Sequence, residues 1–337
     1  MRILFLGGTG VISTACSREA VEAGHEVTVL NRGLTANVPL PDGVEVLHGD
    51  VRDADSMRSA VRGRTFDVVV DWLAFVPEHI ATALSVFRGT GQYVFISSAS
   101  AYESPPSDWL VSESRTPLVN PFWKYSRDKI ACEQALAEQH ETPWTIVRPS
   151  HTYGPSQLPL GIVAWSHPYT SIARMRAGRP TLVIGDGTSL WTLTHNSDFA
   201  RGFVPLLGND RAIGEDFHIT SDEALTWNQI TDAVAVAAGV DDAPVVHVPT
   251  DGFVAADPEM AGPLWGDKAN TTVFDNSKLL ELVPDFQAQV PFADGVRECI
   301  DWYDADPSRQ TVDADIDAEW DRIADIYTRA LQEMAKR

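Results

Sequence analysis

Cysteine is scarce in this chain: 3 residues in 337, at Cys16, Cys132 and Cys299. They are odd in number and far apart, so they exclude a disulfide framework and fit no metal-ligand spacing. Buried thiols in a reducing compartment are the expectation. No apolar run is long enough to cross a bilayer, and no leader-like segment opens the chain, so a cytoplasmic protein with no membrane partner is expected. Repeats and low-complexity stretches are missing too, which excludes a solenoid or a fibrous chain. Positive charge is short, with 26 Lys and Arg against 47 Asp and Glu and a net charge of −21. That balance argues against a nucleic-acid backbone as partner and disfavours anionic ligands unless a local positive site offsets it. Lysine, ordinarily among the commonest residues, occurs only at 124, 129, 268, 278 and 336.

What is present is a core-building composition, 44% hydrophobic, arranged as alternating strands and helices. That alternation predicts an α/β fold with a parallel sheet. Arg2 to Leu6 is a short apolar run of buried-strand type. It stops at Gly7-Gly8-Thr9-Gly10-Val11-Ile12-Ser13, and a helical pattern runs on to Gly24 before a second strand, Val27 to Leu30. Strand, glycine turn, helix, strand is the context that a dinucleotide fingerprint requires. Gly7 allows the tight turn, and Gly10 lets the backbone approach a pyrophosphate at the helix N-terminus. Ser13 stands where a third glycine is usual. The dinucleotide is therefore expected along Gly7, Thr9, Gly10, Val11 and Ile12. At the end of the second strand, where a carboxylate would accept the 2′-OH of NAD, the chain reads Asn31-Arg32. Arg32 suits the 2′-phosphate of NADP; with Arg32 in solvent and Asn31 on a 2′-OH, NAD is the alternative.

Tyr125 and Lys129 lie four residues apart in Asn120-Pro121-Phe122-Trp123-Lys124-Tyr125-Ser126-Arg127-Asp128-Lys129. Asn120 as a cap and Pro121 in the first turn predict a helix from there, with both side chains on one face. A free phenol has a pKa of about 10, and a nearby ammonium is expected to lower it, which would make the pair a proton donor and acceptor. Two of the five lysines fall in this helix.

At the glycine turn, Tyr125 and Lys129 the chain resembles the extended short-chain dehydrogenase/reductase superfamily, in its NAD-dependent epimerase/dehydratase branch. Further matches are His48-Gly49-Asp50-Val51 after a third strand, where the resemblance implies an adenine contact from Asp50 and Val51. Phe66 to Asp71 reads as a fourth strand, whose exit Trp72-Leu73-Ala74 would lie along the cofactor. Tyr93 to Ser98 reads as a fifth, placing Ser98 as the catalytic serine and Tyr102 in the substrate site. Glu133 continues the Tyr helix, and Thr145 to Pro149 is the sixth strand, with Pro149 at the cofactor. Gly185-Asp186-Gly187 and His195 to Asp198 match later family elements. The resemblance implies a Rossmann-type doubly wound parallel sheet with a smaller C-terminal α/β substrate domain. Residues 1–155, with about 194–220 returning, would bind the cofactor; 156–193 and 221–337 would bind substrate. A homodimer is the expected assembly.

The expected activity is NAD(P)-dependent hydride transfer at a secondary alcohol or ketone of a sugar-like small molecule, with a nucleoside or a sugar nucleotide among the candidates. Tyr125 would move the proton, Lys129 would lower its pKa and hold the nicotinamide ribose, and Ser98 would orient the oxygen, so that Tyr125 and Lys129 also count as cofactor contacts. Ala99-Ser100 after Ser98, in place of an acid pair, disfavours dehydration and leaves epimerase or ketoreductase. A ketoreductase acting on a non-sugar carbonyl and a nucleotide-binding regulatory protein without catalysis are the alternatives. Two positions depart from the sugar-nucleotide pattern. His151 replaces an asparagine and Trp191 an arginine, and both are expected to line the substrate pocket. Arg174, Arg179 or Lys278 are alternative phosphate ligands. Trp72, Tyr102, Trp109, Trp123, Trp165 and Trp191 are expected near the cleft, where aromatic faces can pack on flat ligands. His151, His167 and His195 lack zinc spacing, so no metal is expected. The carboxylates at 313, 315, 317, 319 and 321 read as a solvated helix start.

Overall fold

In the computed structural model, which describes residues 1–34 and 39–336, the N-terminal apolar run forms β1 (Arg2–Leu6), an interior strand of a seven-stranded sheet. Around it lie β2 (Glu26–Asn31), β3 (Glu45–His48), β4 (Val68–Asp71), β5 (Gln92–Ile96), and the strands Trp144–Pro149 and Glu215–Ile219. Their order across the sheet is Glu215–Ile219, Trp144–Pro149, β5, β4, β1, β2, β3, and every pairing is parallel. The chain thus winds outward from β1 in both directions, as in a doubly wound fold, and its switch point falls between β1 and β4.

Both faces of the sheet are covered, so its strands read as continuous apolar runs rather than alternating ones. Successive side chains of β1 still part to opposite sides. Ile3 and Phe5 pack with Val29, Val68 and Val94 under α1 (Val11–Glu22) and the helix Asn196–Phe203. Leu4 and Leu6 pack with Val69 and Phe95 under α2 (Ala54–Ala60), α3 (Pro77–Phe87) and α4 (Lys124–Glu138). Each of these fully buried aliphatic or aromatic side chains contributes about 1.5–3 kcal/mol. Cys16, Cys132 and Cys299 are all buried free thiols.

The Tyr-bearing helix starts later than expected. α4 begins at Lys124, not near Pro121, because the Asn120 side chain closes a turn ahead of it, accepting from the N–H groups of Phe122 and Trp123 at 3.2 and 3.1 Å. β5 ends at Ile96, two residues before the expected end, which leaves Ser98 outside the carboxyl edge of the sheet. There its Oγ accepts from Ser100 N at 3.2 Å and caps the short turn Ala99–Ala101.

The remaining strands form smaller sheets. Leu190–His195 pairs parallel with His151–Tyr153 and antiparallel with Ala224–Thr226. Thr181–Ile184 pairs with Val245–Val248, and Leu110–Val111 with Val273–Phe274. The first two of these sheets pack around a second core in which Trp191 stacks on Trp227, centroids 5.3 Å apart, while Val111 and Phe274 pack with Ala99 and Tyr102. The carboxylates 313–321 do start a helix, Ala314–Ala335, but two are not simply solvated. Asp317 and Asp321 hold the guanidinium groups of Arg174 and Arg179, with Arg174 to Asp317 at 2.6 Å. No described helix is long and apolar enough to cross a membrane.

Candidate active site

A cleft of about 380 Å³ opens at the switch point, lined by Gly7 to Ser13, Asn31 to Leu34, Gly49, Val51, Trp72, Leu73 and Gln157. The glycines let its floor turn tightly against the sheet. Gly7 and Gly8 have φ of +97° and +118°, and a Cβ on Gly8 would meet Val29 Cγ2 at 2.8 Å. Gly10 caps α1 with extended φ and ψ of −84° and 170°. Ser13 acts there as a cap, its Oγ accepting from Gly10 N at 3.0 Å. The first-turn N–H groups of α1, including those of Val11 and Ile12, have no place in the helix ladder and suit a pyrophosphate. Arg32 and Asn31 sit at the far end of the cleft, with Asn31 Oδ1 accepting from Gly33 N at 2.8 Å.

The opposite lip is the turn after β4. Asp71 Oδ1 accepts from Leu73 N and Ala74 N, both at 2.9 Å, and its other oxygen accepts from Tyr93 OH at 2.6 Å. Ala74, expected along the cofactor, is buried and lines neither this cleft nor the pocket beside it; its carbonyl accepts from Lys129 Nζ. Trp72 turns its indole into the core between Phe5 and Phe203 and offers the cleft its edge. Asp50 does not line the cleft: its neighbours Gly49 and Val51 do, while the Asp50 carboxylate accepts from Arg52 N at 2.9 Å.

A second pocket of about 370 Å³ shares Ile12 and Gln157 with the first, so the two adjoin across these residues. It brings together Ser98, Tyr125, Pro149, His151 and Trp191 with Ser100, Trp123, Trp165, Asp267, Lys268 and Thr272. Ser98 lies beside Tyr125, and hydroxyls continue inward from it. Ser98 Oγ is 2.9 Å from Ser100 Oγ, which accepts from Ser126 Oγ at 2.8 Å. Lys129 is buried below. Its Nζ donates to the carbonyls of Ala74 and Ile96 at 2.7 and 2.8 Å, and burial pulls its pKa down to about 8.

The expected lowering of the Tyr125 pKa is not found. Burial raises it above the ordinary phenol value, the Ser98 hydroxyl pulls the other way, and the negative charge of Asp267 raises it further. The ammonium that was to lower it is spent on backbone carbonyls. His151 is held neutral by burial and the charge of Lys268, and neither ring nitrogen has a partner among the described residues.

Other expected site residues lie elsewhere. Tyr102 is buried outside the main pocket. It donates to His218 Nδ1 and accepts from Arg148 Nη1, both at 3.0 Å, because His218 Nε2 is engaged by the Asp275 carbonyl. Trp109 projects into solvent. Arg174 and Arg179 belong to the Asp317–Asp321 cluster, and Lys278 pairs with Glu215 and Asp216, so none of the three stands as a phosphate ligand in this pocket. Asp267 and Lys268 were not foreseen, since no spacing in the sequence ties them to Tyr125. Among the described residues no cluster of three or more His, Cys, Asp or Glu could hold a metal ion.

A doubly wound sheet, a glycine cradle at its switch point, and a Tyr-x-x-x-Lys helix beside a serine define a member of the extended short-chain dehydrogenase/reductase class. The chain belongs to the NAD dependent epimerase/dehydratase family, which matches residues 3–220. It is 30% identical over 259 residues to the chloroplast stem-loop binding protein of 41 kDa b of Arabidopsis thaliana. That match covers 73% of this chain and 65% of that protein's length. It is 28% identical over 294 residues to 2′-dehydrokanamycin reductase of Streptomyces kanamyceticus, covering 85% of this chain and 80% of the relative. Its fold matches that of UDP-glucose 4-epimerase from Bifidobacterium longum in complex with NAD+ and UDP. The TM-score is 0.72 at 19% identity, over 92% of this chain and all (100%) of that one.

Proposed function

We propose that this protein is an NAD(P)-dependent reductase or epimerase that transfers hydride at a secondary alcohol or ketone of a sugar-like substrate. The observation that carries the reading is that the glycine cradle adjoins the pocket of Ser98 and Tyr125, with Ile12 and Gln157 lining both. A bound nicotinamide dinucleotide would supply or accept the hydride there. Gly7, Thr9, Gly10, Val11 and Ile12 would hold its pyrophosphate, and the Asp71-braced turn would line its other side. Residues 1–155 with 194–220 would carry the cofactor, and 156–193 with 221–337 would close over the substrate.

The chain's own chemistry favours the reductive direction. A phenol kept protonated at neutral pH is a proton donor, and burial does that to Tyr125. Tyr125 would give its proton to the substrate oxygen as the carbon is reduced, while Ser98 orients that oxygen. The similarity to a reductase of a dehydrogenated aminoglycoside points the same way. Arg32 favours NADP, and its positive charge reaches Arg52 nearby. A panel of ketoses, sugar nucleotides and ketones of cyclic polyols, followed by nicotinamide absorbance with NADPH and NADH, tests the reading. Turnover of at least one polyhydroxylated ketone is expected; cofactor binding with no turnover of any would favour a regulatory nucleotide-binding protein.

A further inference from the structure

We infer that Asp267 and Lys268 form the substrate-recognising wall facing Tyr125, and that the substrate they select is an uncharged polyhydroxylated ring carrying no phosphate. The inference rests on the hydride-transfer reading of the same pocket and names its substrate class.

The wall is built rather than incidental. Leu264–Lys268 is a single π-helical turn, a feature that often marks functional sites, and three of its carbonyls are tied down by side chains. Asn120 Nδ2 donates to Gly266 O at 2.7 Å, Ser104 Oγ to Trp265 O at 2.9 Å, and Trp227 Nε1 to Lys268 O at 2.9 Å. A Cβ on Gly266 would stand 2.9 Å from both Asn120 Oδ1 and Trp123 Cβ. Asn120 therefore clamps this turn onto the start of the Tyr125 helix and sets the two sides of the pocket against each other.

Among the described residues, Asp267 and Lys268 are the only charged side chains lining the pocket. Lys268 is 5% exposed. Its Nζ meets Asp267 Oδ2 at 3.1 Å and lies 5.5 and 5.9 Å from the rings of Trp165 and Trp191. An ammonium has three donors, and one is used among the described residues. Both ring nitrogens of His151 and the indole Nε1 of Trp191 are buried without a side-chain or backbone partner there, and of the Asp267 carboxylate only Oδ2 is engaged, by Lys268. Buried polar groups left open in this way call for a ligand that completes them. Neighbouring hydroxyls do so: one donates to Asp267, the next accepts from Lys268, and the C–H face of the ring lies on indole. A diphosphate does not fit, because its charge would be desolvated against a wall whose single cation is already neutralised, and a buried charge must be paired.

Calorimetric titration of UDP into the NADP-saturated protein tests this, since saturation blocks the cofactor cleft and the measurement needs no turnover. The wild type is expected to show no binding up to about 1 mM UDP, an affinity floor near 4 kcal/mol. Asp267→Asn frees the Lys268 charge, and UDP affinity should then rise by about tenfold or more. The double change Asp267→Asn with Lys268→Met should abolish the gain, with cofactor affinity as the check that each variant is folded. Wild-type binding of UDP tighter than about 100 μM, or an Asp267→Asn variant that gains nothing, overturns the inference. The hydride-transfer reading stands or falls separately, on turnover.

Discussion

Lys129 does not hydrogen-bond Tyr125: its ammonium lies 5.9 Å from the phenol ring and is held by the carbonyls of Ala74 and Ile96. It ties the turn after β4 to the end of β5, and that turn is one lip of the cofactor cleft. Lys129→Met should therefore loosen the lip and weaken cofactor binding, by about tenfold for one charged hydrogen-bonding group lost. Fluorescence titration of NADPH against both proteins measures it. Unchanged affinity would mean that the Ala74 turn holds its shape on Asp71 alone.

The Tyr125 phenol should stay protonated through the neutral range. Burial, the largest cause, and the Asp267 charge both favour the neutral form, so its proton is retained at higher pH than in a free phenol. In the cofactor-free protein, the ultraviolet difference between wild type and Tyr125→Phe should show no phenolate below about pH 10. Ketone reduction should correspondingly hold its rate as pH rises through neutrality and fall only in the alkaline range. A phenolate signal at pH 7–8, of order two units below the free value, would contradict this environment.

Arg32→Ala should weaken NADP(H) and leave NAD(H) nearly unchanged. A charge-assisted contact to phosphate contributes about 1.5–3 kcal/mol, so a loss of about ten- to a hundredfold is expected in parallel titrations. Equal losses for both cofactors, or none, would remove Arg32 from 2′-phosphate recognition.

Buried below the pocket, Arg148 joins Glu133, Asp216 and Tyr102, with its Nη2 2.6 Å from Glu133 Oε2. Arg148→Met leaves the Glu133 carboxylate buried without its cation, which costs about 3–5 kcal/mol. Chemical denaturation should show the loss as a lower midpoint, while Glu133→Gln, which keeps a hydrogen-bonding side chain, should cost less. Equal stability of Arg148→Met and wild type would mean that water reaches Glu133.

The parallel sheet was legible because a strand buried on both faces is an uninterrupted apolar run, and Arg2–Leu6 ends in glycines that only a tight turn explains. The pairing of Ser98 with Tyr125 was legible through resemblance. The start of the Tyr helix was misplaced because Asn120 caps a turn instead of the helix and spends its amide on Gly266. Tyr102 was misassigned because its partners His218 and Arg148 come from distant strands. Asp267 and Lys268 stayed hidden for the same reason: a π turn far along the chain meets Tyr125 only after the fold closes.

The most direct test of the account is turnover by Tyr125→Phe. The ring and its packing against Trp123, centroids 4.9 Å apart, remain, so folding and NADPH affinity should match the wild type. Only the proton carrier is lost, and general acid–base catalysis is typically worth about 10²–10⁴-fold. The account predicts a fall of that order in the rate of ketone reduction, at unchanged cofactor affinity. A Tyr125→Phe protein that reduces the same ketone at the wild-type rate would contradict it.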